Sequence, residues 1–170
     1  INRGNLSKIF GELFMLIEND KRGNALQLLY SDEKFAVPEN VYIIGMMNTA
    51  DRSLAMLDYA LRRRFAFFDI KPGFETPGFR EYRMALDNEK FNKLISCVEN
   101  LNGVIASVES LGEGFCIGHS YFCNLQPDTI NDDWLYGVVE YELIPLLKEY
   151  WFDEPMKVKD WSENLRSTIK

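Results

Sequence analysis

The segment that most constrains this chain is Val41-Tyr42-Ile43-Ile44-Gly45-Met46, a β-branched and nearly continuous apolar run. Without polar alternation, such a run fits a strand buried on both faces, as in a parallel sheet. It gives way to the polar loop Asn48-Thr49-Ala50-Asp51-Arg52-Ser53. Leu54, Leu57, Ala60 and Leu61 then line one face of a helix predicted over about 53–63. Phe65-Ala66-Phe67-Phe68-Asp69-Ile70 reads as a second strand, stopped by Lys71-Pro72-Gly73. Strand, helix and strand within about 30 residues make a βαβ unit. The polar loop then lies at the C-terminal end of the first strand, where open α/β sheets bind ligands.

The flanks complete a two-part plan. Leu6, Ile9, Phe10, Leu13, Phe14 and Ile17 form a one-faced stripe at helical spacing, with Asn5 as a candidate N-cap. The chain opens on INRGN, with no methionine and only one turn before this helix. That start is expected of a piece cut from a longer protein. After Pro77, Phe79–Leu86, Phe91–Val108, Trp134–Trp151 and Val158–Ile169 read as helices, with a short non-helical insert at Phe115–Phe122 and a kink at Pro145. The expected architecture is α/β plus α: an α/β part over residues 1–72 and a mainly helical part over 73–170.

Composition narrows the function classes. At 46% apolar over 170 residues the chain can bury a core and is not disordered. No apolar run approaches the roughly 20 residues of a membrane span, so no membrane role is expected. Cys97, Cys116 and Cys123 form neither an even disulfide set nor a CxxC metal pair, which fits reduced thiols in a cytoplasmic protein with no metal site of its own. Residues 1–72 hold 10 Lys and Arg against 9 Asp and Glu; residues 73–170 hold 9 against 17, giving the net −7. Neither part offers the basic, aromatic-interleaved surface of a nucleic-acid groove.

Several residues are candidates for chemistry. Asn48, just past the buried strand, is placed to hold a water against a phosphate, or else is a turn residue. Asp51 and Arg52 form a local pair or reach a ligand or neighbour. Arg62-Arg63-Arg64 end the predicted helix, where cations suit its dipole by about 0.3–1 kcal/mol each. Consecutive helical residues point about 100° apart, so the three do not share one role. His119 is the single histidine, with no second ligand or nucleophile beside it in sequence.

Taken together, NVYIIGMMNTADRSLAMLDYALRRRFAFFDIKP resembles the second half of the nucleotide-binding core of the McrB family. These are the GTP-hydrolysing AAA+ motor subunits of modification-dependent, 5-methylcytosine-specific restriction systems. INRGN resembles the segment just after that family's acidic Walker B residues, and GEGFCIGHSYF with LLKEYWFDEP resembles its helical lid. The resemblance implies the C-terminal half of an AAA+ P-loop NTPase core followed by a lid. It makes Asn48 the sensor beside the γ-phosphate, and Arg63 and Arg64 the candidate arginine fingers reaching a neighbouring subunit's nucleotide, with Arg62 the structural one. Such fingers contribute about 10³–10⁵ in rate. Asp51, Arg52 and His119, with Ser120, become nucleotide-contact candidates.

The resemblance further implies GTP and Mg²⁺ as ligands of the full-length protein, a homo-oligomeric ring of six, a McrC-like nuclease subunit, DNA contact through an absent N-terminal domain, and a bacterial or archaeal cytoplasm. NTAD also imitates the ends of the guanine-reading NKxD motif, although a sensor at a strand end faces phosphates and leaves the base at a distance. Cys116 stands where the family often has a basic residue, which weakens a charged lid sensor. The chain has no GxxxxGK[ST] and no Walker B carboxylate pair. Alone it is therefore expected neither to bind GTP tightly nor to hydrolyse it. The alternatives are a fragment of a MoxR- or dynein-like AAA+ ATPase, and a non-catalytic interaction module.

Overall fold

A computed structural model of the protein describes residues 6–48, 50 and 62–170. The chain divides into two compact units, residues 1–69 and 70–170. In the first unit, α1 (Leu6–Phe10) and α2 (Leu13–Leu16) occupy the stretch predicted as one helix. Gly11 interrupts it with a φ of +49°, a left-handed conformation that glycine adopts without a Cβ clash. The break carries the stripe onto Phe14, Leu16 and Ile17, which are buried, and leaves Ile9 exposed. Asn5 lies outside the described residues.

Strands β1 (Ala25–Gln27) and β2 (Lys34–Ala36) pair antiparallel, with Leu26 opposite Phe35. This hairpin was not legible as one, because strands of three residues hold too little alternation to register. It is the sheet among the described residues; no parallel pairing accompanies it. Residues 41–48 and 65–70 carry no ladder, and Tyr42, Ile44, Met46, Phe68 and Ile70 are exposed. A strand apolar on both sides needs neighbouring strands and covering helices to bury it. Inside this unit only Ile43 and Phe65 find cover, against Phe14 and Ile17. The predicted crossover helix over 53–63 lies almost wholly outside the described residues.

The second unit is helical. Thr76 caps α3 (Pro77–Leu86), its Oγ1 accepting the Phe79 N–H, with Pro77 preset for the first turn. Asn88 caps α4 (Glu89–Ser107) in the same way, accepting the Phe91 N–H at 2.9 Å. Along α4, Phe91, Leu94, Ile95, Val98, Leu101, Asn102 and Ile105 face inward at helical spacing. Asn131 caps α5 (Asp132–Gly137), which widens into a π-helical stretch, Val138–Leu143, before α6 (Ile144–Tyr150). The kink expected at Pro145 takes this form. Proline lacks an N–H and its ring crowds the carbonyl four residues back, and the wider turn relieves both. Helix α7 (Pro155–Thr168) packs along α4. Trp151, Phe122, Leu135 and Leu147 complete a core whose members are nearly or fully excluded from water. No helix among the described residues is long and apolar enough to cross a membrane.

Candidate functional site

In the first unit the described candidates are Asn48 and the three arginines; Asp51 and Arg52 lie outside the described residues. Asn48 is exposed, and its Oδ1 accepts the Ala50 N–H at 3.0 Å. That closes the loop two residues ahead, the usual turn habit of asparagine. The arginines part company, as the 100° rule requires. The Arg62 guanidinium lies 5.7 Å from the Phe67 ring centroid, and Arg62 is exposed. Arg64 turns inward: it pairs with Glu18 and stacks 4.5 Å from the Phe14 ring centroid, its side chain only 12% exposed. A cation over an aromatic face, with a carboxylate at its edge, is desolvated at modest cost. Arg63 is exposed and makes no ion pair or ring contact among the described residues. Of the three, Arg64 is the one that turns inward. Glu18 escaped the sequence reading because its partner lies 46 residues away.

In the second unit His119 opens a short helical turn, His119–Phe122, and its Nδ1 accepts the Gly73 N–H at 2.9 Å. Accepting at Nδ1 means the neutral ring carries its proton on Nε2. The ring stands edge-on to Phe74 and Phe79, at 6.3 and 5.8 Å between centroids. Beside it lies a cavity of about 450 Å³, lined among others by Thr76, Tyr82, His119 and Gln126. Tyr82 donates to the Phe122 carbonyl and accepts the Leu125 N–H, both at 2.9 Å, and burial raises its phenol. Ser120 is exposed.

Burial also raises the thiols of Cys97, Cys116 and Cys123, so none is poised as a thiolate nucleophile. Cys116 donates toward the Asn102 carbonyl at 3.6 Å, and Asn102 itself, a residue the sequence did not single out, holds both backbone groups of Ile117. Among the described residues no group of three or more His, Cys, Asp or Glu is arranged to hold a metal.

Residues 1–65 match the model of the AAA domain of the dynein-related subfamily, and residues 93–159 match that of the McrB alpha-helical lid domain. The type IV methyl-directed restriction enzyme EcoKMcrB subunit of Escherichia coli K12 is 51% identical, over 97% of this chain and 38% of that protein. The chain belongs to the McrB family. It carries an AAA domain portion and the family's helical lid. A second relative is the type II restriction enzyme BsuMI component YdiS of Bacillus subtilis, 30% identical over 54% of this chain and 29% of that protein. The chain thus spans well under half the length of the curated relatives it matches.

Proposed function

We propose that this McrB-family chain is the sensor, arginine-finger and lid portion of an AAA+ motor that hydrolyses GTP to drive methyl-directed DNA restriction. The 51% identity to a methyl-directed restriction subunit carries the reading. In this reading Val41–Met46 and Phe65–Ile70 are strands of a parallel sheet completed by the rest of the core, which accounts for their exposed apolar side chains here. Asn48 orders the loop at the sheet's C-terminal edge and orients the attacking water, with Asp51 and Arg52 in the same loop. The finger is Arg63. Arg64 is committed to Glu18 and Phe14, and that anchorage supports Arg63 by fixing the backbone one residue away.

A finger acts on the neighbouring subunit's nucleotide, so the working species is a ring, by family six-membered, with a McrC-like nuclease subunit as partner and DNA read by a domain outside this chain. Mg²⁺ would neutralise the phosphates when bound, held by residues outside this chain. This chain's own contribution is a guanidinium presented to developing negative charge. Arg63→Ala in the full-length motor is expected to spare GTP binding and to lower turnover by about 10³-fold or more. Wild-type turnover in that variant would remove the role. The dynein-related AAA match over residues 1–65 favours one second reading, an ATP-hydrolysing motor. Phosphate release from GTP and from ATP, measured side by side on the full-length protein, separates the two.

A further inference from the structure

The chain passes from its first unit into its second at residues 69–70, and the next few residues form the joint through which the lid is attached. Gly73 and Phe74 are buried, so the Gly73 N–H has to find an acceptor inside the protein. It finds the imidazole of His119, 46 residues further on. The approach is so close that a Cβ on Gly73 would lie 2.9 Å from His119 Cε1 and 3.1 Å from Nδ1. The Gly73 carbonyl, in turn, accepts both the N–H and the hydroxyl of Thr76, at 3.1 and 2.7 Å. Thr76 is the residue that caps α3. Hydrogen bonds on the two sides of Gly73 therefore tie the imidazole, through this one residue, to the first turn of α3. From its other side the Cys123 thiol donates to the His119 carbonyl at 3.3 Å.

Packing alone does not ask for histidine here. Phe74, Phe79 and Phe122 already make the apolar nest, and leucine would fill it. What leucine lacks is an acceptor at the δ position.

We propose that His119 is a positioning residue of the lid joint, its neutral Nδ1 holding the Gly73 peptide so that α3 and the lid leave residues 70–74 in one fixed direction. The site is matched on both sides: a glycine that gives room for the ring and a ring nitrogen that satisfies the glycine. On the motor reading, nucleotide turnover asks this segment of the second unit to hold one conformation. That functional half rests on the motor reading; the clamp itself does not.

Two measurements test the two halves separately. In the 170-residue chain the Gly73 amide is expected to exchange slowly with solvent, and His119→Leu to speed it at least tenfold. His119→Asn, whose Oδ1 takes the place of Nδ1, is expected to restore protection, whereas His119→Gln, with its acceptor one bond further out, does not. Wild-type protection in His119→Leu overturns the clamp. Should that variant fail to fold, equal protection in the Asn and Gln variants does the same. In the full-length motor, His119→Leu is expected to lower kcat with an unchanged KM for nucleotide, and His119→Asn to recover it. An unchanged kcat alongside a loosened Gly73 amide overturns the positioning role. A full-length protein without nucleotide turnover instead refutes the motor reading, and the amide measurement still decides the clamp.

Discussion

Asn102 gives the most exacting test of how the lid is held together. It sits on the buried face of α4, and its side-chain amide grips both backbone groups of one residue in the opposing loop: Nδ2 donates to the Ile117 carbonyl at 2.9 Å, and Oδ1 accepts the Ile117 N–H at 2.6 Å. Ile117 is itself only 1% exposed, so neither backbone group has ready access to water once the amide is gone. A buried donor or acceptor left unsatisfied costs about 1–3 kcal/mol. Asn102→Leu keeps the branched shape of the side chain and orphans two such groups. Allowing for partial rehydration of the loop, the loss is about 2–4 kcal/mol.

The three tryptophans, Trp134, Trp151 and Trp161, all lie in the second unit, so their fluorescence during urea unfolding reports that unit. With a slope of about 1–3 kcal/mol per molar urea, the midpoint falls by about 0.7–4 M. Asn102→Asp sharpens the test. The introduced carboxylate faces the Ile117 carbonyl oxygen and favours staying protonated, because only the acid form donates there. Its pKa is then raised in the folded state. The stability it retains is present at pH below the ordinary aspartate value of about 3.9 and is lost as pH rises through the folded value. The deficit relative to wild type is therefore smallest below about pH 4 and largest at neutral pH. A wild-type midpoint for Asn102→Leu, or a pH-independent deficit for Asn102→Asp, would refute the account of the grip.

Other outcomes follow from the same geometry. Arg64→Ala is expected to destabilise the first unit by about 1–2 kcal/mol, a value held down by the partial exposure of Glu18, whereas Arg63→Ala stays within about 0.5 kcal/mol. Amide exchange across residues 13–18 reads both, and equal effects would undo the assignment of Arg64 as the internal arginine. Burial, with Tyr121, Cys116 and Glu149 nearby, pushes the Tyr150 phenol up to about 12. A raised phenol contributes stability below the ordinary value near 10 that disappears as pH climbs through 12, so alkaline unfolding of the lid should be displaced to higher pH by Tyr150→Phe. A wild-type alkaline midpoint in that variant would count against the burial argument.

Much of the lid was legible in advance because its determinants are local. The apolar spacing of α4, the Asn88 and Thr76 caps and the proline at 145 act within one or two turns of themselves. The helices accordingly stand where periodicity put them, each starting two or three residues earlier, at Pro77, Glu89, Asp132 and Pro155. The first unit was harder. Gly11 broke a stripe that looks continuous on paper, and the strength of Val41–Met46 as a strand depends on neighbours that the described residues do not provide. Of the candidate site residues, the sequence named Asn48, Arg63, Arg64 and His119 by type and position. It did not reveal how the arginines divide their work.

By itself, then, the sequence determined the family, the helical lid and a short list of polar side chains, since these follow from local periodicity and from long, specific runs of identity. Tertiary structure alone decided that Arg64 turns inward to Glu18 and Phe14 while Arg63 faces out, that Asn102 grips Ile117, and that His119 clamps Gly73. Each of these pairs joins residues 15 or more positions apart. Hydrogen bonds and ion pairs have a reach of about 3 Å, so a partner that distant in sequence is chosen only when packing has brought the two segments together.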